Sequence, residues 1–312
     1  MKTTLPTRSL VIKERLDNVV KEILTVAKDK IAMIILFGSY ARGTWVQDVY
    51  QEGHIVYTYC SDLDILLVLR KSKHNGRIAL RIQHDIENRL EKKGLASSPM
   101  KLSYPPTIED GREYVKDPCV SLIAEPITRV NEELERKQYF FTDIKKEGIL
   151  LYDNGEFQLT EARHMPWLER KQIAQEDYDY WFKSGSEFFI NTRNALGRDS
   201  FNNAAFELHQ ATESFYHAII LVFNGYKYKE HDILDLAKKA RDYHHELFRI
   251  FPYASSQQVE CFELLRRAYI EARYNKHYRI SKEQLLYLIE RVEKLQHMTQ
   301  DICLKYINRK EG

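Results

Sequence analysis

Cysteine is scarce. Only Cys60, Cys119, Cys261 and Cys303 occur in 312 residues, and no two of them form a C-x-x-C pair. That scatter indicates neither a zinc site nor a disulfide framework, and it sets the expectation of a reducing, cytoplasmic environment. Glycine and proline are few, at 12 and 8, beside 44% hydrophobic and 29% charged residues, the composition of a globular chain. No apolar run approaches the roughly 20 residues that span a bilayer, and the opening MKTTLPTRSLVIKERL lacks the apolar core of a secretory leader. A formal net charge of +2 argues neither for nor against a nucleic-acid partner. Tyrosine is plentiful, with 20 residues that crowd the second half. The length favours two domains.

The two halves differ in pattern. Ile12, Leu16, Val19, Val20, Ile23, Leu24 and Ala27 recur at helical spacing. IAMIILF (31–37) and DLDILLVL (62–69) are short continuous apolar runs, which predicts two buried strands. Ile78, Ile82, Ile86 and Leu90 predict a helix over 76–93. MKLSY (100–104), CVSLIAE (119–125) and GILLYD (148–153) predict further strands, with a polar helix over about 127–147. From about residue 170 no strand pattern remains. Long amphipathic stretches cover about 172–196, AAFELHQATESFYHAIILVF (204–223), 231–249, 256–274 and 281–308, an up-and-down bundle of about five helices. The expected organisation is an α+β domain at 1–155, a small mixed sheet with flanking helices. A linker follows at 156–170 and an all-α bundle at 171–312.

The chemistry concentrates in LFGSYARGT (36–44) and SDLDILLVL (61–69). Strand side chains alternate faces, so Asp62 and Asp64 are expected to point the same way. Two carboxylates about 7 Å apart repel each other, and a divalent cation resolves that conflict. Magnesium takes oxygen ligands, usually a few carboxylates plus substrate phosphates. Gly38 lets backbone approach a ligand closely, and Ser39 with neighbouring N–H groups suits phosphate oxygens.

These segments resemble the nucleotidyltransferase fold of the DNA polymerase beta superfamily, especially its minimal members, whose signature is G-S, a spacer, then D-x-D. The resemblance implies Mg²⁺ and triphosphate binding by Asp62 and Asp64, with phosphate held by Gly38 and Ser39. Arg42 is a candidate phosphate contact by charge and position. The spacer 40–61 is longer than the minimal enzymes carry, and YQEGHIVYTY within it alternates like an inserted hairpin. The superfamily often has a third carboxylate on a later strand, for which Glu125 is the candidate by position.

The second half resembles a HEPN domain, carried by AAFELHQATESFYHAI, NGYKYKEHDILDLAKKA and LLRRAYIEARYNKHY. Many HEPN domains are metal-independent ribonucleases that use an Arg, four to six residues, then a His, in a groove at a dimer interface. A homodimer and RNA at that groove follow as expectations. Arg273 and His277 lie at the corresponding turn but are separated by three residues, and Arg291 to His297 is a looser match inside the last helix. His209, Glu213 and His217 stack on one helix face, with no further ligand to suggest zinc. Glu213 is expected to pair with Arg273, and His231 to cap or pack.

Together the resemblances imply transfer of a nucleoside monophosphate, most simply AMP from ATP with Mg²⁺, onto a hydroxyl. In related pairs the nucleotidyltransferase acts as antitoxin by modifying a tyrosine of its HEPN partner, which makes Tyr274 and Tyr278 candidate acceptors. The alternatives are a nucleotide- or RNA-binding regulator without turnover, with the bundle as dimerisation platform, a HEPN ribonuclease, and transfer to a small-molecule hydroxyl.

Overall fold

The computed structural model describes residues 1–52, 55–70, 75–96, 118–136, 139–162, 165–228, 231–253 and 255–309. They form two compact units, Met1–His164 and Met165–Gly312.

In the first unit, helix α1 (Lys13–Ala27) leads into strand β1 (Ile31–Phe37) and the short helix α2 (Gly38–Arg42). Strands β2 (Gln47–Glu52) and β3 (Ile55–Cys60) pair with each other as a separate antiparallel hairpin, inserted before β4 (Leu63–Leu69). Helix α3 (Asn75–Lys92), strand β5 (Val120–Pro126), helices α4 (Ile127–Glu135) and α5 (Tyr139–Glu147), and strand β6 (Ile149–Asp153) follow. The main sheet has the order β5-β4-β1-β6. Its strand β1 runs antiparallel to β4 and β6, while β4 and β5 are parallel.

Both faces of this sheet are covered, which is why its central strands are apolar runs and do not alternate. Ile34, Leu36, Leu63, Ile65 and Leu67 pack against Leu16, Val19 and Ile23 of α1 and Ile82, Ile86 and Leu90 of α3. On the other face Phe37 meets Phe140 of α5 edge-on, with ring centroids 5.5 Å apart. The polar helix expected over 127–147 is two helices, α4 and α5, and the predicted strand at 100–104 lies outside the described residues.

The second unit is all-α, with α6 (Trp167–Gly197), α7 (Phe201–Asn224), α8 (Ile233–Arg241), α9 (Ser256–Tyr274) and α10 (Lys282–Ile307). Helix α7 is its axis, buried from Ala204 to Val222 on nearly every side and packed by the other four. Its stripe therefore extends round the helix where a surface helix would show one apolar face. Ser255 with Gln258, and Ser281 with Gln284, form reciprocal capping boxes that start α9 and α10. The helix expected over 231–249 is shorter. Asp232 caps α8 through the Leu234 amide, and past Arg241 the polar run DYHHE gives way to a 3-10 turn at His245–Arg249.

Helices α6 and α7 approach closely at Gly185, where a Cβ would lie 2.7 Å from the fully buried Phe215 ring. Gly185→Ala should lower unfolding stability by about 1–3 kcal/mol, because the clash exceeds the gain in helix propensity of about 1 kcal/mol. Urea denaturation measures this, and an unchanged or raised midpoint would show that the ring can yield.

Candidate functional site

The end of β1 and the start of β4 interlock. Asp64 lies opposite Phe37 in the antiparallel register, so its carboxylate meets the backbone where β1 turns into α2. Gly38 has φ +73°, and a Cβ there would fall 2.4 Å from Asp64 Oδ2 and 3.2 Å from its Cγ. The carboxylate occupies the space a side chain would fill, so only glycine fits beside it. Asp62 is buried but precedes β4, which begins at Leu63, so the same-face argument does not cover it as a strand residue. The approach to Asp62 is pinned on both sides. The Ser61 amide donates to the Val46 carbonyl at 2.9 Å, the Val46 amide donates to Ser61 Oγ at 3.0 Å, and the Leu63 amide donates to the Cys119 carbonyl at 2.7 Å.

The other candidates of this unit scatter more. Ser39 is half-buried beside Gly38 and its carbonyl accepts from the Thr44 amide at 2.9 Å. Arg42 is exposed and faces Glu147 at 3.6 Å. Glu125 is not brought to the pair. It lies in register with Val68, whereas Asp64 is in register with Ser121. Four strand residues separate the two levels, about 13 Å along the sheet. Glu125 is buried there and faces Arg129 at 3.5 Å. Sequence position alone could not set that register.

No group of three or more His, Cys, Asp or Glu able to hold a metal ion occurs among the described residues. Asp62 and Asp64 are still the right donors for Mg²⁺, which commonly takes one or two carboxylates and fills its remaining places with phosphate oxygens and water.

The second unit gathers its polar groups around Glu213 on α7, which is 9% exposed. His231, from the segment before α8, brings Nδ1 within 3.0 Å of Glu213 Oε1. His217 Nε2 lies 3.6 Å from the same oxygen, and His209 Nε2 lies 3.8 Å from Oε2. Gln210 Nε2 donates to Oε2 at 3.2 Å. Burial alone would raise the Glu213 carboxyl, but hydrogen bonds from His217 and His231 outweigh it and hold the group below its ordinary value. Burial pushes His209 the other way from an ion, lowering its tendency to protonate, while its Nδ1 meets the Leu265 carbonyl at 2.9 Å.

The expected pairing of Glu213 with Arg273 is not formed. Arg273 is exposed, donates Nε to the Tyr269 carbonyl at 2.8 Å, and lies over the rings of Phe206, Tyr269 and Tyr274 at 4.6–4.9 Å. A guanidinium stacks on aromatic faces at no cost in burial, and the carboxylate already has hydrogen bonds with His231 and Gln210. His231, expected to cap or pack, packs on Tyr269 and is also the partner of Glu213, while Asp232 is the cap. No spacing rule announces that contact across 18 residues.

The tyrosine candidates separate sharply. Tyr274 is 76% exposed, whereas Tyr278 is 2% exposed and its hydroxyl donates to the Leu264 carbonyl at 3.0 Å. Burial raises the Tyr278 phenol well above its usual range, so Tyr278 is no accessible acceptor in the folded state. His277 is exposed. Arg291 supports the chain at the Arg249 and Ile250 carbonyls, away from any pairing with His297.

A folded-state carboxyl held below its ordinary value of 4.5 contributes stability above that pH and loses it as pH falls through the depressed value. The stability gap between wild type and Glu213→Gln should therefore be widest near neutrality and narrow in acid. Urea midpoints across a pH series test it, and a gap independent of pH would mean that Glu213 is not ionised in the fold.

No curated protein matches the sequence. Among solved structures the chain is similar to a nucleotidyltransferase-like protein from Exiguobacterium sibiricum 255-15, at 12% identity over 93% of this chain and 78% of that one, with a TM-score of 0.27. A likeness at that score carries no weight for fold or function. The HEPN domain family matches residues 178–302, within the five-helix unit built on α7. The C-terminal unit of this chain carries a HEPN domain.

Proposed function

We propose that the N-terminal unit is a nucleotidyltransferase that moves a nucleoside monophosphate, AMP in the simplest case, from a ribonucleoside triphosphate to a hydroxyl. The observation that carries this reading is the contact of Gly38 with the Asp64 carboxylate, which joins the Gly-Ser turn and the D-x-D segment into one site. Asp62 and Asp64 would hold Mg²⁺, and the bound ion supplies neutralisation of charge on the triphosphate. Backbone at Gly38 and Ser39 holds phosphate oxygens close to those carboxylates. The acceptor oxygen attacks the α-phosphorus as its proton passes to solvent water, the bond to the β-phosphate oxygen breaks, and pyrophosphate leaves. Glu125 has no part in this step, given its register with Val68.

Among the two tyrosines of the ARYNKHY segment, the exposed Tyr274 is the acceptor consistent with the fold, and modification there would set a phosphodiester beside Arg273. That arrangement corresponds to a toxin–antitoxin pair fused in one chain. A second reading concerns the HEPN unit itself. Exposed Arg273, Tyr274, Lys276, His277 and Arg279 interleave cations with an aromatic ring, and this supports binding of single-stranded RNA by phosphate contact and base stacking.

Intact mass after incubation with Mg²⁺ and each ribonucleotide should rise by one nucleoside monophosphate in wild type. No rise should occur in Asp62→Ala/Asp64→Ala or in Gly38→Ala, and the added mass should map to Tyr274. Nucleotide binding without any gain in mass or pyrophosphate release would replace the transferase by a nucleotide-binding regulator. For the HEPN unit, Arg273→Ala should weaken a labelled RNA 20-mer by about tenfold in anisotropy, the scale of one stacking contact. Unchanged affinity would remove RNA from this surface.

A further inference from the structure

The β4–β5 pair brings another oxygen to the level of Asp64. Asp64 and Ser121 are register partners in this parallel pair, about 4.8 Å apart across the ladder. Their sequence neighbours Leu63, Ile65 and Leu122 are buried in the core under α1 and α3. Side chains alternate along a strand, so Asp64 and Ser121 point together to the opposite face. Both are half-buried there. The Gly38 backbone closes on Asp64 from the β1 side, and Ser121 stands on its β5 side. Asp62 belongs to the same end of the pair, because the amide that follows it, at Leu63, donates to the Cys119 carbonyl at 2.7 Å.

The β5 residue at this level is neutral. The acid that shares its face, Glu125, stands four residues further along β5, in register with Val68 and 3.5 Å from Arg129. A hydroxyl therefore faces the Asp64 level from β5 where an acid would have added a charge. The difference bears on how a cation is held. Magnesium dehydrates reluctantly, and one or two carboxylates hold it chiefly together with substrate phosphates. One more negative charge beside Asp64 would hold a divalent cation in the absence of those phosphates.

We propose that Ser121 is a positioning residue of the Asp62–Asp64 centre. Its hydroxyl orients the Asp64 carboxylate, and its neutrality makes the centre depend on the triphosphate for its divalent cation. The centre loads with the nucleotide complex and stays open when nucleotide is absent. This rests on the transferase reading of the first unit and deepens it, naming the residue that governs how that site is filled.

The test uses the full-length protein and Mn²⁺ as the probe. Mn²⁺ alone is titrated by EPR. Its complexes with the α,β-methylene analogues of the four ribonucleoside triphosphates, which cannot release a nucleoside monophosphate, are titrated by calorimetry. Wild type should bind such a complex. Ser121→Asp should bind Mn²⁺ alone at least about tenfold tighter than wild type, the least that one unit charge about 6 Å from a divalent cation gives in water. Ser121→Asn has the shape of the Asp variant without its charge and should show no gain. Ser121→Ala stays readable even where the added charge spoils folding. It should bind the complex about tenfold more weakly than wild type, the scale for loss of a group that orients a metal-binding carboxylate. Three results overturn the role of Ser121 and leave the transferase reading standing: an Asp variant that gains nothing, an Asn variant that gains as much, or an Ala variant that binds the complex as wild type does. Wild type that binds neither Mn²⁺ nor any complex overturns both.

Discussion

A carboxylate fills the space beside residue 38 that every other amino acid would need for its own Cβ. That single exclusion orders the first unit. Asp64 can face the β1 end only if β1 and β4 keep their antiparallel register, and the chain can leave β1 there only through a positive φ. The register in turn depends on the two-sided burial of the sheet, since a slip by one residue would move Asp64 to the face packed by α1 and α3. The apolar residues that follow Asp64 therefore do more than supply core. They fix where the carboxylate is presented.

The HEPN unit meets the opposite electrostatic problem. Glu213 is taken out of water on a helix that is apolar nearly all round, and an isolated buried carboxylate would take up a proton. Imidazoles answer this better than an arginine. They are small enough to sit at 3.0–3.8 Å around one carboxylate within a packed bundle. They also remain partly aromatic, so His217 packs on Trp181 and His231 on Tyr269 while still facing the acid. Arg273 is left to the surface, where its guanidinium covers three rings.

The elements were legible in the sequence wherever the determining forces were local. Continuous apolar runs at 31–37 and 62–69 are the central strands. The stretches expected as helices at 256–274 and 281–308 are α9 and α10, and the structure adds the Ser255 and Ser281 capping boxes that start them, which satisfy backbone groups within one turn. Gly38 was expected to let a ligand come close, whereas in the fold the Asp64 carboxylate comes close there, brought by the β1–β4 register. What failed was long-range. Glu125 stands one residue from a strand end in sequence, but its level against Asp64 is set by pairing across more than 50 residues. Tyr274 and Tyr278 look alike in ARYNKHY, and only the turn after α9, which folds Tyr278 back onto Leu264, distinguishes an exposed phenol from a buried one.

The same division bears on how polar groups are placed in each unit. In the first, Gly38, Asp62 and Asp64 sit on or beside strand ends, and the β1–β4 register holds Gly38 against Asp64. In the second, Glu213 comes from the middle of α7, His231 from the segment before α8 and Tyr269 from α9, so the row exists only once the bundle is assembled. The cap at Asp232 ties these together, for its carboxylate takes the Leu234 amide and the Arg266 guanidinium while the preceding residue is His231. Arg266 holds Asp232 below its ordinary carboxyl value against the opposing effect of burial. The ion pair that anchors α8 to α9 thereby also sets the position of the imidazole, one residue away, against the buried acid.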